Sequence, residues 1–258
     1  MKKNFLLLGL WCIINYTYAG NHYGRQYGQN DNQRFGFSFN AGIGFPVSAF
    51  GEKDSLPVLD SNYTKADGYA KPGFHFEVGI SYRFAKYIGI AGVTGGTICP
   101  FDASAYNNTH RLSFAPYQLR ASAQGSHYEA EYLIGPFLYI PVSDKFSIEA
   151  RALFGILSSK YPDITVASTL PNNYFGYTYK FSIGKDFAYY FSVAGKIKLG
   201  DNIGVVIMAN YLGSSVVYPG LVYTDSTPSG FSYSGFYFGN RSMSLGILSI
   251  TGGLYISF

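Results

Sequence analysis

Two cysteines, one tryptophan and only 13% charged residues show how little of several common ingredients this 258-residue chain contains. Cys12 falls inside an apolar N-terminal stretch that reads as a removable leader. Cys99 is then alone, which excludes an intrachain disulfide framework and leaves a buried or loop thiol. The charged fraction is about half that of ordinary soluble domains. The formal charge of +4 falls to +2 once Lys2 and Lys3 leave with the leader, since 17 basic residues then face 15 acidic ones. No basic patch points to a nucleic-acid partner. Beyond the N-terminus no run of about 18 apolar residues occurs, which excludes helical membrane spans. Glycine pairs such as "GIG" (42–44) are not followed by a helical pattern, so a phosphate-cradling loop is excluded as well.

The leader is read from "MKKNFLLLGLWCIINYTYAG": two lysines, an apolar stretch from Phe5 to Ile14, then Thr17-Tyr18-Ala19. This is the pattern of a secretory signal peptide over residues 1–19 with cleavage after Ala19. Residues 20–33 are polar and Gly-rich and are expected to form a short arm.

What the chain does have is aromatic residues, 19%, and 31 glycines. From Arg34 these fall into period-two alternation, the mark of a strand. "RFGFSFNAGIGF" (34–45) puts Phe35, Phe37, Phe39, Ala41, Ile43 and Phe45 on one face and Gly36, Ser38, Asn40, Gly42 and Gly44 on the other. The same texture recurs at 74–84, 127–140, 146–156 and 187–199. Residues 88–97, 203–212 and 248–258 bring the expected strands to eight; the Gly-rich 88–97 leaves its facing open, and so does 203–212.

Connections alternate in length. "AKY" (85–87), "SDK" (143–145) and "GDN" (200–202) join strands two to three, four to five and six to seven, whereas the other junctions take about 25 residues or more, beyond ordinary loops. All short turns therefore lie at one end of the meander. Parts of the long loops alternate too: 164–169 with 174–183, and 216–223 with 231–238, are expected to form hairpins projecting past the barrel.

Alternation alone fits a soluble barrel as well as a membrane one. A second face in water would be dense in Lys and Glu; here it is mostly Gly, Ser, Ala and Asn, which suits the crowded interior of a small barrel. The other face carries Phe, Tyr, Ile and Val without charge, as lipid requires. An open sheet edge in hydrocarbon would leave backbone groups unpaired at several kcal/mol each, so the barrel must close. "ITGGLYISF" (250–258) is accordingly expected to pair with "RFGFSFNAGIGF". The expected fold is all-β: a transmembrane antiparallel up-and-down barrel over 34–258 with eight strands, or ten if a loop hairpin enters the membrane.

With "YLIGPFLYIPVSDKFSIEARALFG" (132–155) and the terminal Phe258, the chain resembles the outer-membrane β-barrel family common in Bacteroidota, similar in architecture to small OmpA-like barrels. The resemblance implies residence in the outer membrane of a Gram-negative bacterium, in contact with lipopolysaccharide. It also implies that Phe258 is read by the barrel-assembly machinery, and that residues 20–33 are periplasmic. Activity does not transfer with fold.

Charged inner-face residues are few. Glu149, Arg151, Lys196 and Lys198, with Arg83 at similar depth, are expected to form an interior ion-pair network filling the lumen. Two His-x-Glu steps, His75/Glu77 and His127/Glu129/Glu131, share inner faces toward the long-loop end, where a lumen could gather them as metal ligands or an acid–base pair. No catalytic, cofactor or metal residue is assigned on this basis, because spacing by two arises readily in strands. The expected role is structural or interactive, with a plugged lumen and outer loops rich in Tyr, Ser, Asn and Gly, a composition suited to recognition. The alternatives are a lipid A-modifying enzyme using His75 or His127 with a nearby Glu, and a narrow passive pore.

Overall fold

The computed structural model describes residues 34–53, 68–109, 118–169, 176–218, 221–226, 232–238 and 241–258. The expected leader and arm lie outside the described residues, as do parts of the loops at 60–69, 102–111 and 172–179.

Eight strands close into one barrel: β1 (Phe35–Val47), β2 (Gly73–Arg83), β3 (Ile88–Pro100), β5 (Ser126–Pro141), β6 (Phe146–Lys160), β9 (Gly184–Lys198), β10 (Ile203–Tyr218) and β13 (Arg241–Ser257). Each pairs antiparallel with its neighbours along the chain, and β1 pairs with β13 to close the wall. At the seam the amide of Phe258 donates to the Phe35 carbonyl (2.9 Å) and the amide of Phe35 donates back (3.1 Å). All eight expected strands are present. The Gly-rich β3 turns Ala91, Val93, Thr97 and Cys99 inward, and β10 turns Val206, Met208, Asn210 and Leu212 inward, which settles the two open facings.

The alternation in sequence becomes an inside and an outside. Ile80 (63% exposed), Tyr132 (63%) and Ile207 (65%) stand outward with Phe35, Phe39, Phe191 and Ile250. Apolar surface continuous around a closed wall far exceeds the few hundred Å² that soluble monomers leave in water. Hydrocarbon is the solvent that such a face fits, and closure leaves the wall no open strand edge. The barrel spans a membrane. No helix among the described residues is long and apolar enough to cross one.

At the short-turn end, aromatic rings lie over glycines on paired strands. Tyr255 covers Gly204 and Phe137 covers Gly89, where any Cβ would collide with the ring. Between β5 and β6 the ladder is interrupted at Gly135-Pro136, since proline has no N–H to give.

Beyond the long-loop end, five short strands form a second sheet in the order β12-β11-β8-β7-β4, made of β4 (Leu119–Gln124), β7 (Asp163–Ser168), β8 (Gly176–Phe181), β11 (Leu221–Ser226) and β12 (Ser232–Phe238). Both expected hairpins are present within it, with shifted bounds: β10 runs through Tyr218, and β11 begins only at Leu221. β4 and the pairing of three different loops into one sheet go beyond the expected hairpins. Wall strands lead into it: β7 follows β6 after Tyr161-Pro162, and β4 precedes β5 through Gly125, whose φ of +91° suits glycine. A short helix, α1 (Ala103–Thr109), is a further element beyond those expected. Asp102 caps it by accepting from the Ala105 amide (3.0 Å), and Asn107 holds Ala121 of β4 through both its amide and its carbonyl. Ile164 and Val166 of the sheet are buried in one apolar cluster that continues into the barrel interior through Leu157, Tyr161 and Tyr218.

Candidate functional site

Strand register, not sequence proximity, determines which inner side chains meet. Asn40, Glu77, Gly95 and Glu131 occupy one row across β1, β2, β3 and β5. The next row toward the long loops holds Gly42, His75, Thr97, Glu129 and, on β6, Ser159. Gly95 lies between two glutamates in its row. A Cβ there would strike the Phe76 carbonyl and come within 3.0 Å of Glu131 Oε1, so the missing side chain is the room in which the carboxylates converge.

His75 leans into that room from the neighbouring row. Its Nε2 is 3.8 Å from Glu77 Oε2 and 3.9 Å from Glu131 Oε1, too long for hydrogen bonds. Its Nδ1 is 2.8 Å from Thr97 Oγ1, which orients the ring. Glu77 is held firmly: Asn40 Nδ2 donates to Oε1 (3.0 Å) and the Tyr190 hydroxyl donates to Oε2 (2.7 Å). Neither oxygen of Glu131 has a hydrogen-bond partner among the described residues.

Toward the short-turn end the expected ion pairs form. Glu149 Oε1 accepts from Arg151 Nε (2.6 Å) and Oε2 from Lys196 Nζ (2.5 Å), while an Arg151 guanidinium nitrogen is 3.8 Å from Glu77 Oε1. The cation reaching Glu149 from β9 is Lys196, not Lys198. Arg83 lies over the Tyr139 ring, 4.7 Å from its centroid. Burial without partners would make each of these charges costly, and pairing offsets that cost.

His127 goes elsewhere. Its Nε2 is 2.9 Å from the Gly68 carbonyl, and its ring meets Tyr161 (centroids 4.7 Å) and Phe50 (5.0 Å) edge-on. Glu129 sits with Ser159 and Tyr218, whose hydroxyls are 2.5 Å apart. Of the five residues in the two His-x-Glu steps, the fold therefore brings His75, Glu77 and Glu131 together and leaves His127 and Glu129 outside that cluster. Tyr190 and Asn40 supply the hydrogen bonds to Glu77, and nothing local in sequence marks either as its partner. Cys99 is a free, buried thiol.

Outside the membrane, Asp102 anchors the first and second long loops. Lys53 Nζ is 2.6 Å from its Oδ2 and Lys71 Nζ 3.2 Å from its Oδ1. Burial alone would raise its pKa; the Lys53 and Lys71 ammoniums and the Ala105 amide overcome that and hold it down at about 2.

No family model matches the sequence, and no curated protein sequence matches it. Among solved structures the chain is similar to a major outer membrane protein from Thermus thermophilus, at 11% identity and TM-score 0.45 over 87% of this chain and 99% of that one. It is similar to Neisserial surface protein A at 9% and 0.44, over 87% and 97%. It is also similar to the outer membrane protease OmpT from Escherichia coli at 10% and 0.40, over 91% and 99%. The architecture described above rests on strand pairing and on the exposed apolar face, not on these likenesses.

Proposed function

We propose that this protein is an integral outer-membrane barrel of the kind common in Bacteroidota, with a lumen closed to solutes and a structural or surface-binding role carried by its outer loops. The observation that carries the reading is the second sheet: three separate loops pair into five strands whose buried residues pack into the same core as the barrel interior. Unconstrained loops would suffice for a protein that only seals its barrel. A preorganised platform lowers the ordering cost of binding a partner. The polar and ionic bridges across the lumen support closure to solutes. Placement in the outer leaflet beside lipopolysaccharide, and recognition of Phe258 by the assembly machinery, belong to the same proposal.

The lipid A-modifying alternative draws less support, because His75 and His127 are 1% and 0% exposed. Deleting residues 163–181 tests the preferred reading. The barrel should still fold and reach the outer membrane, while binding of whole cells to immobilised matrix or host proteins falls to background. Unchanged binding, stepwise conductance in planar bilayers, or a lipid A mass profile that depends on His75 or His127 would each overturn it.

A further inference from the structure

We propose that His75, Glu77 and Glu131 form a buried site for one divalent transition-metal ion, of the Zn²⁺ class, inside the barrel wall. Three independent features converge on it. The first is geometry. One ligand atom from each residue lies within 4.8 Å of the other two. The imidazole-to-carboxylate separations of 3.8 and 3.9 Å exceed hydrogen-bond length, yet donors on a common ion at about 2 Å stand roughly 3–4 Å apart.

The second feature is the set of orphaned atoms. His75 Nε2 and both oxygens of Glu131 are fully buried and have no hydrogen-bond partner among the described residues. In folded proteins the great majority of buried polar atoms are partnered, and in this cluster three such atoms converge on one point. Thr97 fits the outer support of a metal-bound imidazole: with Nδ1–H donated to its hydroxyl, the Nε2 lone pair faces the two carboxylates. A lone pair facing two anions calls for a cation between them. Gly95, directly between Glu77 and Glu131 in register, leaves the volume open.

The third feature is charge. Four buried carboxylates line the lumen, Glu77, Glu129, Glu131 and Glu149, against two buried cations, Arg151 and Lys196. Both cations approach Glu149, and neither forms an ion pair with Glu131. With all four ionised the lumen would carry two uncompensated negative charges, and a divalent ion held by Glu77 and Glu131 would offset them. One imidazole nitrogen and two carboxylate oxygens suit Zn²⁺ and neighbouring first-row ions, with a fourth position for water. The ion would tie β2 to β5 across β3, as a structural staple within the wall.

The untagged chain, refolded into detergent with Zn²⁺ or with a chelator and then desalted, tests this by metal analysis and by the temperature at which the folded gel band is lost. Zn²⁺-refolded protein should keep about one ion per chain and hold its folded band to a higher temperature. Glu131→Gln and His75→Gln should lose the ion and that difference, while Asp102→Asn keeps both. Should a variant fail to fold, Co²⁺ on the unaltered chain decides, since a four-coordinate site gives strong visible absorption. Wild-type protein without retained Zn²⁺ and without Co²⁺ bands, or Glu131→Gln retaining the ion undiminished, would overturn the proposal.

Discussion

The hydroxyl of Tyr190 on β9 donates to Glu77 Oε2 on β2 at 2.7 Å, although the two residues are 113 apart in sequence. In the closed order β1-β13-β10-β9-β6-β5-β3-β2, these strands are four steps apart in either direction, on opposite walls. One hydrogen bond therefore crosses the whole lumen, and Arg151 adds a longer contact from β6. Opposite walls braced by polar contacts make the interior part of the folded structure.

Removing that hydroxyl should matter. Tyr190→Phe leaves a buried carboxylate oxygen without its donor, a loss of about 1–3 kcal/mol. Urea unfolding of the refolded protein should show the midpoint falling, with the strand spectrum unchanged below it.

Glu149 holds two buried cations at once. Glu149→Gln should cost about 3–5 kcal/mol, because Arg151 and Lys196 stay buried without their anion. Adding Lys196→Gln should cost less than the sum of the single changes, which a double-mutant cycle reads directly.

The wall's outer face predicts a dependence on depth. Ile207→Arg, near the middle of the spanning part of β10, should cost about 2–4 kcal/mol in lipid vesicles, and Ser215→Arg, outward on the same strand but past the span, about 0–1 kcal/mol. Equal costs at the two sites would argue against a membrane at this height.

Asp102 gives a pH signature. Its carboxyl is held at about 2 when folded, below the ordinary value of about 3.9 for a free chain. Its contribution to stability is thus fully present above about pH 4 and is lost as pH falls toward 2. Hydrogen exchange at α1 and at Ala121 should rise through that window. Asp102→Asn should show the raised exchange at neutral pH as well.

Much of the wall was legible because lipid and lumen impose opposite demands on successive residues, so Phe35, Phe37 and Phe39 alternate visibly with Gly36, Ser38 and Asn40. β3 was legible as a strand but not in its facing, since Gly89, Gly92, Gly95 and Gly96 carry no side chain to declare a side. The outer sheet was half legible. Its hairpins are local, but the partners of β4 and β11 are chosen through contacts between loops far apart in the chain. The helix α1 is seven residues long, too short for a clear period. In the lumen the inner-face charges could be read from alternation. Which of them meet could not, because a shift of one row would have placed Glu129 rather than Glu131 against Glu77.

Spin labels placed one at a time along Ile203–Leu212 in the vesicle-bound protein offer the most direct measurement, read for collisions with oxygen, which enters lipid, and with a water-soluble nickel chelate. A membrane barrel gives strict alternation: high oxygen and low nickel accessibility at 205, 207, 209 and 211, and protection from both at 206, 208, 210 and 212. High nickel accessibility at 207 and 209 would mean that water bathes the Phe- and Ile-bearing face, and would contradict a membrane-spanning wall.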